Sequence, residues 1–417
     1  YRASSRSNDL RRCADLGNAS GCVGGVGDGE GPCKPWLTGP YCKLCNVTDT
    51  SRYYDGERSE CLPCEGSAAV PLVLGVVAVL ATVVIVLLWL RFKLHRRIGC
   101  LARLSQRLSR LYNQLSLRAK GKQLLGFYQV ATRVASVYDV PMPDAVKQLL
   151  SVFELFNINV GGIGLPMQCL GLGTYEQQLM TTMLLPIGVA VLLVLGFLVR
   201  SFSCAPKAKE LVHGLLGSLP WLLPLSFLVF PMVSSAAFRA FSCEEFDDGR
   251  SYLRADYAVE CGTEVHGRAE SLAWLGIALY PSGISLLYVA LLYLVRHAIH
   301  DNKPTSLSKT LDFLVRDYEP AYLWWELAEA WKKLFLVGFA VLINPGSVVQ
   351  LVTAFLFSLV YMLLVGVARP FKDAGDDLFA KACSFSLAAL FFFLVILKQG
   401  VLTEAVDDVL SEQLRGR

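Results

Sequence analysis

Long apolar runs separated by short charged stretches dominate the chain. Residues Ala68 to Leu90 contain no charge at all, and about 20 such residues suffice for a helix to cross a hydrocarbon core. Comparable runs lie at 179–199, 211–238, 271–295, 334–343, 348–368 and 379–397. The run at 334–343 is short, and it reads as one helix with the amphipathic stretch Trp324–Lys333 ahead of it. This pattern predicts an all-α polytopic membrane protein.

The polar stretches orient the runs. Arg91, Lys93, Arg96, Arg97, Arg103, Arg107, Arg110, Arg118, Lys120 and Lys122 follow the first run with no acid among them, which assigns residues 91–122 to the cytoplasm. Leu101, Leu104, Leu108, Leu111 and Leu115 recur between these charges at helical spacing. They predict a basic amphipathic helix, lying on the anionic lipids of the inner leaflet or binding a partner, beside the plainer reading of a surface helix. Arg200 to Lys209 is basic and belongs inside. Cys243 and Cys261 bracket an acidic loop, expected to be exterior (243–268) with its own disulfide. Both assignments make 179–199 run inward, so the chain must cross outward between 123 and 178. Gln123–Tyr138 supplies that crossing (123–140), with Gln129 and Arg133 tolerable only inside a bundle and Pro141 and Pro143 ending it. Residues 141–178, with Cys169 and a short helix over Val146–Phe156, become exterior. The count is then about eight transmembrane helices with both ends outside, six of them in a bundle at 179–400 before a tail at 401–417. The alternative is seven, with Gln123–Tyr138 on the membrane surface.

Composition agrees with a lipid environment. Only 18% of residues are charged, against roughly a quarter in soluble domains. The net charge of +4 arises from residues flanking apolar helices and not from one basic face, so nucleic acid is not an expected partner. Cys13, Cys22, Cys33, Cys42, Cys45, Cys61 and Cys64 crowd the Gly-rich segment 1–67. Cys42–Cys45 and Cys61–Cys64 have the CxxC spacing of a zinc ribbon. Immediately before a membrane span, with three further cysteines upstream, disulfides in an oxidising compartment are the expectation instead. Their pairing stays open. Seven is odd, so one partner lies upstream of Tyr1 or elsewhere outside. A chain opening on Tyr1 with such an ectodomain is expected to be the C-terminal portion of something longer. Asn18 and Asn46 open glycosylation triplets.

Other polar groups suggest sites. Asp247, Asp248 and Asp256 offer oxygens suited to Ca²⁺, but Arg250 and Arg254 interleave them and ion pairs are expected. Trp324, Trp325 and Trp331, with Tyr318 and Tyr322, suit a membrane interface. Glu326 and Glu329 precede Lys332 and Lys333, and Glu329–Lys333 has the favourable i,i+4 order. This stretch is either an interfacial anchor or a lever coupling the cytoplasmic face to the helices. Asn344-Pro345-Gly346-Ser347 is too short for a pore helix and filter. Few ionisable or polar groups could line a path: Gln129, Arg133, Glu326, Glu329 and Lys398. Pro220, Pro224, Pro231, Pro281 and Gly283 predict kinks. No hydrolase, P-loop or dinucleotide motif is present, so neither an enzyme nor a cofactor or metal centre is expected.

Residues 31–45 (GPCKPWLTGPYCKLC), 124–129 (LLGFYQ), 137–143 (VYDVPMP), 243–261 (CEEFDDGRSYLRADYAVEC), 316–338 (RDYEPAYLWWELAEAWKKLFLVG), 344–350 (NPGSVVQ) and 368–373 (ARPFKD) together resemble a group of very large algal and protist surface proteins. These carry Cys-rich EGF-like or ephrin-receptor-like modules followed by a TRP-like, polycystin-like membrane domain. The resemblance implies a giant ectodomain held at the plasma membrane, or at a flagellar or ciliary membrane, with the N-terminus extracellular. One such member is an axial or anchoring protein of flagellar mastigonemes, with extracellular filament proteins and a polycystin-type channel subunit as partners. The expected function is membrane anchoring with force reception. The alternatives are a TRP-like cation channel lacking a conventional pore loop and a seven-helix signalling receptor.

Overall fold

The computed structural model describes residues 11, 13, 20–23, 33–46, 52–56, 58–64, 116–138, 140, 167–170, 172–202, 208–301, 303 and 305–415. The expected span 68–90, the basic residues Arg91, Lys93, Arg96, Arg97, Arg103, Arg107 and Arg110, the triplet at Asn18 and the helix Val146–Phe156 lie outside the described residues.

The N-terminal module is built from two hairpins, β1 (Leu37–Thr38) with β2 (Leu44–Cys45) and β3 (Arg52–Asp55) with β4 (Glu60–Pro63). So small a module buries little apolar surface, and disulfides Cys13–Cys22, Cys33–Cys42 and Cys45–Cys61 hold it together. The odd seventh cysteine, Cys64, pairs with Cys169.

Helices dominate the remainder. α1 (Leu117–Ala131) and α2 (Val134–Tyr138) lie end to end. They are followed by α3 (Tyr175–Phe202) and α4 (Ala208–Arg239), and then a three-stranded antiparallel sheet of β5 (Cys243–Glu245), β6 (Ser251–Leu253) and β7 (Asp256–Glu260). α5 (Glu264–Ile277) runs through a π-helical turn at Ala278–Ser282 into α6 (Gly283–His300). Two short helices, α7 (Ser306–Thr310) and α8 (Asp312–Val315), precede α9 (Trp325–Lys333), α10 (Val348–Ala368) and α11 (Ala374–Arg415). Cys243–Cys261 staples the sheet that joins α4 to α5.

Among the described residues, five helical segments are long and apolar enough to cross a membrane: Tyr175–Val199, Gly214–Arg239, Glu264–His300, Val348–Ala368 and Ala374–Gly400. Their outer faces present Leu192, Leu286, Leu294, Val360, Leu363 and Val367 in the open. Contiguous apolar area of this kind is stable against lipid and not against water.

Two of the eight expected crossings are not long, apolar, unbroken helices. Gln123–Tyr138 is interrupted at Thr132–Arg133, and its helix begins at Leu117, so the expected boundary between a basic helix ending at 122 and a span beginning at 123 does not exist. The stretch 324–343 is α9, then a π turn (Leu334–Gly338), then a 3-10 turn (Phe339–Leu342). The second break is closely packed. A Cβ on Gly338 would sit 2.9 Å from Phe238, and the Tyr138 hydroxyl donates to the Leu336 carbonyl at 2.8 Å, a bond the π turn makes accessible.

α1–α2 occupies the centre. Val130, Val134, Val137, Tyr138 and Val140 pack with Leu336, Val341, Leu351, Ala354, Leu387, Phe391 and Leu394 in one apolar core. Gln350 locks its end. Its amide donates to the carbonyls of Val137 at 3.0 Å and Ala340 at 2.7 Å, and its side-chain oxygen accepts from Gly346 N at 2.9 Å. The last contact closes the turn Asn344–Ser347, where Asn344 and Gly346 take positive φ and Ser347 caps α10. Replacing Gln350 by Leu leaves these three backbone groups without that partner, each worth about 1–3 kcal/mol when buried. With the Val137 and Ala340 carbonyls buried and Gly346 partly open, Gln350→Leu is expected to destabilise the bundle by about 2–6 kcal/mol, read as a lowered thermal midpoint of tryptophan fluorescence in detergent.

Candidate functional site

Two polar assemblies stand out, one at each end of the bundle. The first joins the helices at the end away from the cysteine-rich module. α1 arrives there with a row of polar contacts: Ser116 Oγ to Asp373 at 3.2 Å, Arg118 paired with Asp312, Lys120 with Asp376 at 3.7 Å, and Lys122 with Glu326. Glu326 is fully buried and also accepts from the Tyr318 hydroxyl at 2.9 Å. Lys122 donates a further bond to the Phe313 carbonyl at 3.0 Å.

One turn along α9, Glu329 accepts from Lys332 at 2.5 Å and from the Tyr361 hydroxyl of α10 at 2.7 Å. The expected Glu329–Lys333 pair is thus replaced by Glu329–Lys332. The reason is the direction in which each lysine leaves the helix. Lys333 points to the bundle centre, 1% exposed. It donates to Gln129 Oε1 at 3.2 Å and lies 3.4 Å from the centroid of the Phe227 ring. Gln129 in turn donates to the Leu228 carbonyl at 3.3 Å, three residues before Pro231.

The aromatic stretch divides likewise. Trp324 (48% exposed) and Trp331 (53%) lie on the surface as an interfacial belt requires, whereas Trp325 (0%) and Tyr318 are core residues packed with Tyr361, Val365 and Phe371. Reading Trp325 as interfacial is therefore corrected: α9 buries one face against α10 and α11. Arg133 is half-buried at the break between α1 and α2, and Lys398 is half-buried on α11.

The second assembly clamps the module onto the β5–β7 sheet. Glu244 sits at its centre. It accepts from Arg11 at 2.8 Å, the Tyr41 hydroxyl at 2.7 Å and the Tyr257 hydroxyl at 2.7 Å, and Arg254 lies 3.6 Å away. Arg11 also donates to the Glu245 carbonyl at 2.6 Å and covers Phe246 at 4.5 Å. Tyr41 holds a positive φ of 58° and wedges its ring against Phe246 and Tyr257. Burial alone would raise the Glu244 carboxyl, but Arg254, the hydroxyls of Tyr257 and Tyr41, and Arg11 together hold it below the ordinary carboxylate range. Burial pushes the Tyr41 and Tyr257 phenols up, so both stay protonated donors.

A third tie is covalent, Cys64–Cys169, beside a hydrogen bond from Tyr54 N to Gln168 Oε1 at 3.1 Å. Of the residues considered for Ca²⁺, Asp248 accepts from Arg250 N and Asp256 from Ala258 N, each at 3.0 Å, as turn contacts. Asn46 is exposed. Cys243, Cys261 and His266 lie close together, but both sulfurs are committed to their disulfide.

Sequence reasoning named Glu326, Glu329, Lys333 and Gln129, and Lys122 and Lys332 without pairing them, but not Phe227 and Tyr361, nor Gln350, Arg11, Tyr41, Glu244 and Tyr257 as a unit. A lone Tyr361 inside an apolar run and the unmatched seventh cysteine were the readable signals.

No family model, curated protein or solved structure matches the chain. The fold and sites define its class on their own: a polytopic helical membrane protein with a disulfide-bonded module docked on one end of its bundle.

Two outcomes follow. Removing one partner of a buried ion pair costs about 3–5 kcal/mol, while replacing both is far milder. Lys122→Met is expected to destabilise strongly and Lys122→Met/Glu326→Gln to recover much of the loss, measured as a double-mutant cycle of thermal midpoints. Since the folded carboxyl of Glu244 is depressed, its contribution is present above the unfolded carboxylate value and is lost as pH falls through the folded one. Hydrogen exchange of residues 33–46 should therefore accelerate only below the ordinary carboxylate range, and Glu244→Gln should remove that acid step.

Proposed function

We propose that the chain is a non-enzymatic membrane anchor. In this reading it holds an extracellular structure at the cell surface and passes tension from that structure into a TRP-like helical bundle. The observation that carries the reading is the triple attachment of the module: the Glu244 clamp, the Tyr54–Gln168 bond and the Cys64–Cys169 bond. A module serving only as a flexible tether would need none of these. The oxidised cysteines favour an exterior position for this end, and the basic flanks favour an interior one for Lys122 and Arg316. The broken stretches 117–138 and 324–342, together with the apolar run 68–90, then complete eight crossings with both ends outside. The resemblance to the membrane domains of large algal and protist surface proteins supports the same reading, with a plasma or flagellar membrane as its place and filament proteins as partners.

The rival is a TRP-like channel conducting through a groove. Buried oxygens without a protein partner, Glu326 Oε1, Asp317 Oδ2 and Gln123 Oε1, favour water reaching the inner half of the bundle. The outer half is the dry core around Val130, Val134, Leu336 and Phe391, and the turn Asn344–Ser347 leaves no room for a filter. The balance favours a holder.

The test is reconstitution into a planar bilayer with a bead on the N-terminus. The anchor reading expects the bead to stay attached under piconewton load with no unitary current, and stretch-evoked unitary currents would overturn it in favour of the channel. A C-terminal tag should be labelled in unpermeabilised cells; labelling only after permeabilisation would remove the eight-crossing topology.

A further inference from the structure

We infer that the cavity between α1, α4 and the α7–α8 pair holds the headgroup of one anionic phospholipid, whose acyl chains run out along α4. The inference rests on the membrane class of the chain and not on the anchor reading. Only the choice of the inner leaflet, where anionic lipids concentrate, depends on the orientation proposed above.

The cavity encloses about 400 Å³, within the range of sites that take small ligands. One side of its lining is cationic, from Arg118 of α1 and Lys309 of α7. The other is apolar, from Pro220 and Pro224 of α4 and Phe313 of α8. An anionic amphiphile matches both sides at once. A simple anion leaves the apolar side uncovered, and a neutral lipid leaves the cations unmatched.

The balance of charge is positive. Asp312 is the one acid of the lining, and it is already shared by Arg118 and by Arg316, the latter at 3.5 Å. Lys309 is exposed and forms no ion pair with any described residue. Arg118 gives Asp312 one N–H of its planar fork, and the remaining donors suit the oxygens of a phosphate. The Thr310 hydroxyl donates its proton to the Leu307 carbonyl at 2.8 Å. It is left as an acceptor, which a headgroup hydroxyl or ammonium satisfies.

Depth selects the same ligand. The apolar span of α4 runs over Gly214–Arg239. At 1.5 Å per residue, Pro220 and Pro224 lie roughly 9 and 15 Å along it, at the level of acyl chains. A turn apart, the two prolines share one helix face. The cations belong to the polar end, because α6 stops at His300 and α1 starts at Leu117. The walls are held in place without a ligand. Phe313 packs edge-on against Phe227 at 5.8 Å and lies 4.4 Å from the Lys122 ammonium, and the Thr305–Ser308 capping box fixes α7. A site formed in advance loses little freedom on binding.

The test is native mass spectrometry of the full chain released from nanodiscs of phosphatidylcholine with a minority of phosphatidylserine. One phosphatidylserine is expected to remain on the wild-type protein after the surrounding lipid is stripped. Lys309→Glu is expected to lower that retention about tenfold or more. Lys303→Glu makes the same charge change on an exposed residue of the same end, outside the cavity lining, and is expected to leave retention unchanged. Both side chains are exposed, so neither change threatens folding. Equal loss in the two variants would reduce the effect to general surface charge and overturn the site. A wild-type protein that keeps no phosphatidylserine, or keeps phosphatidylcholine equally well, overturns it too. Displacement of the lipid by inorganic phosphate or glycerol phosphate would assign the cavity to a soluble anion and overturn the lipid. None of these outcomes touches the load and current measurements on which the anchor reading stands.

Discussion

A charged group inside an apolar bundle must be neutralised or hydrogen-bonded, because desolvation costs several kcal/mol per ion and lipid supplies no substitute for water. The architecture follows from how α1 meets that demand. It lies at the centre of the helices while carrying Lys122 and Gln129, and each finds its partner on α9: Glu326 for the first, Lys333 for the second. Two helices far apart in sequence are thereby held in one register. Tyr318, Tyr361 and Phe227 complete the shell around those charges. The outward faces of α3, α6 and α10 turn their leucines and valines toward lipid.

The same requirement accounts for the broken helices. Past Lys333 the chain leaves α-helical geometry and Gly338 packs so closely on Phe238 that a Cβ there would lie 2.9 Å from its ring. The π turn shifts the following residues and offers the Leu336 carbonyl to Tyr138, while Gln350 takes up Val137 and Ala340. Each irregularity is matched by a side-chain partner, so buried backbone groups are satisfied without helix geometry. At the other end the logic reverses. The small module has too little core to stand alone, and it relies on disulfides and on a hydrogen-bonded carboxylate, Glu244, gripping Arg11 and two tyrosines.

Much of this was legible along the chain. A membrane-embedded helical class, the apolar runs that became α3, α4, α5–α6, α10 and α11, and a stapled loop between α4 and α5 can be read from hydropathy and cysteine placement. Those features depend on local composition and on the solvent it demands. The buried polar partners were less accessible. Glu329 has two lysines within one helical turn, and helical spacing favours Lys333, whereas the bundle turns Lys333 inward to Gln129 and leaves Glu329 to Lys332. Trp324, Trp325 and Trp331 look equivalent in sequence, and only the position of α10 and α11 separates the buried one from the exposed two.

By itself, then, the sequence determined that the long runs are apolar enough for lipid and that the cysteine-dense stretches are suited to disulfides. Only the tertiary structure decided which charge pairs with which, where a helix breaks, and that Cys64 reaches Cys169 across 105 positions. The physical reason is range. Hydropathy is a property of neighbouring residues, whereas an ion pair, a π turn or a disulfide depends on atoms brought within a few ångströms by the packing of the whole bundle.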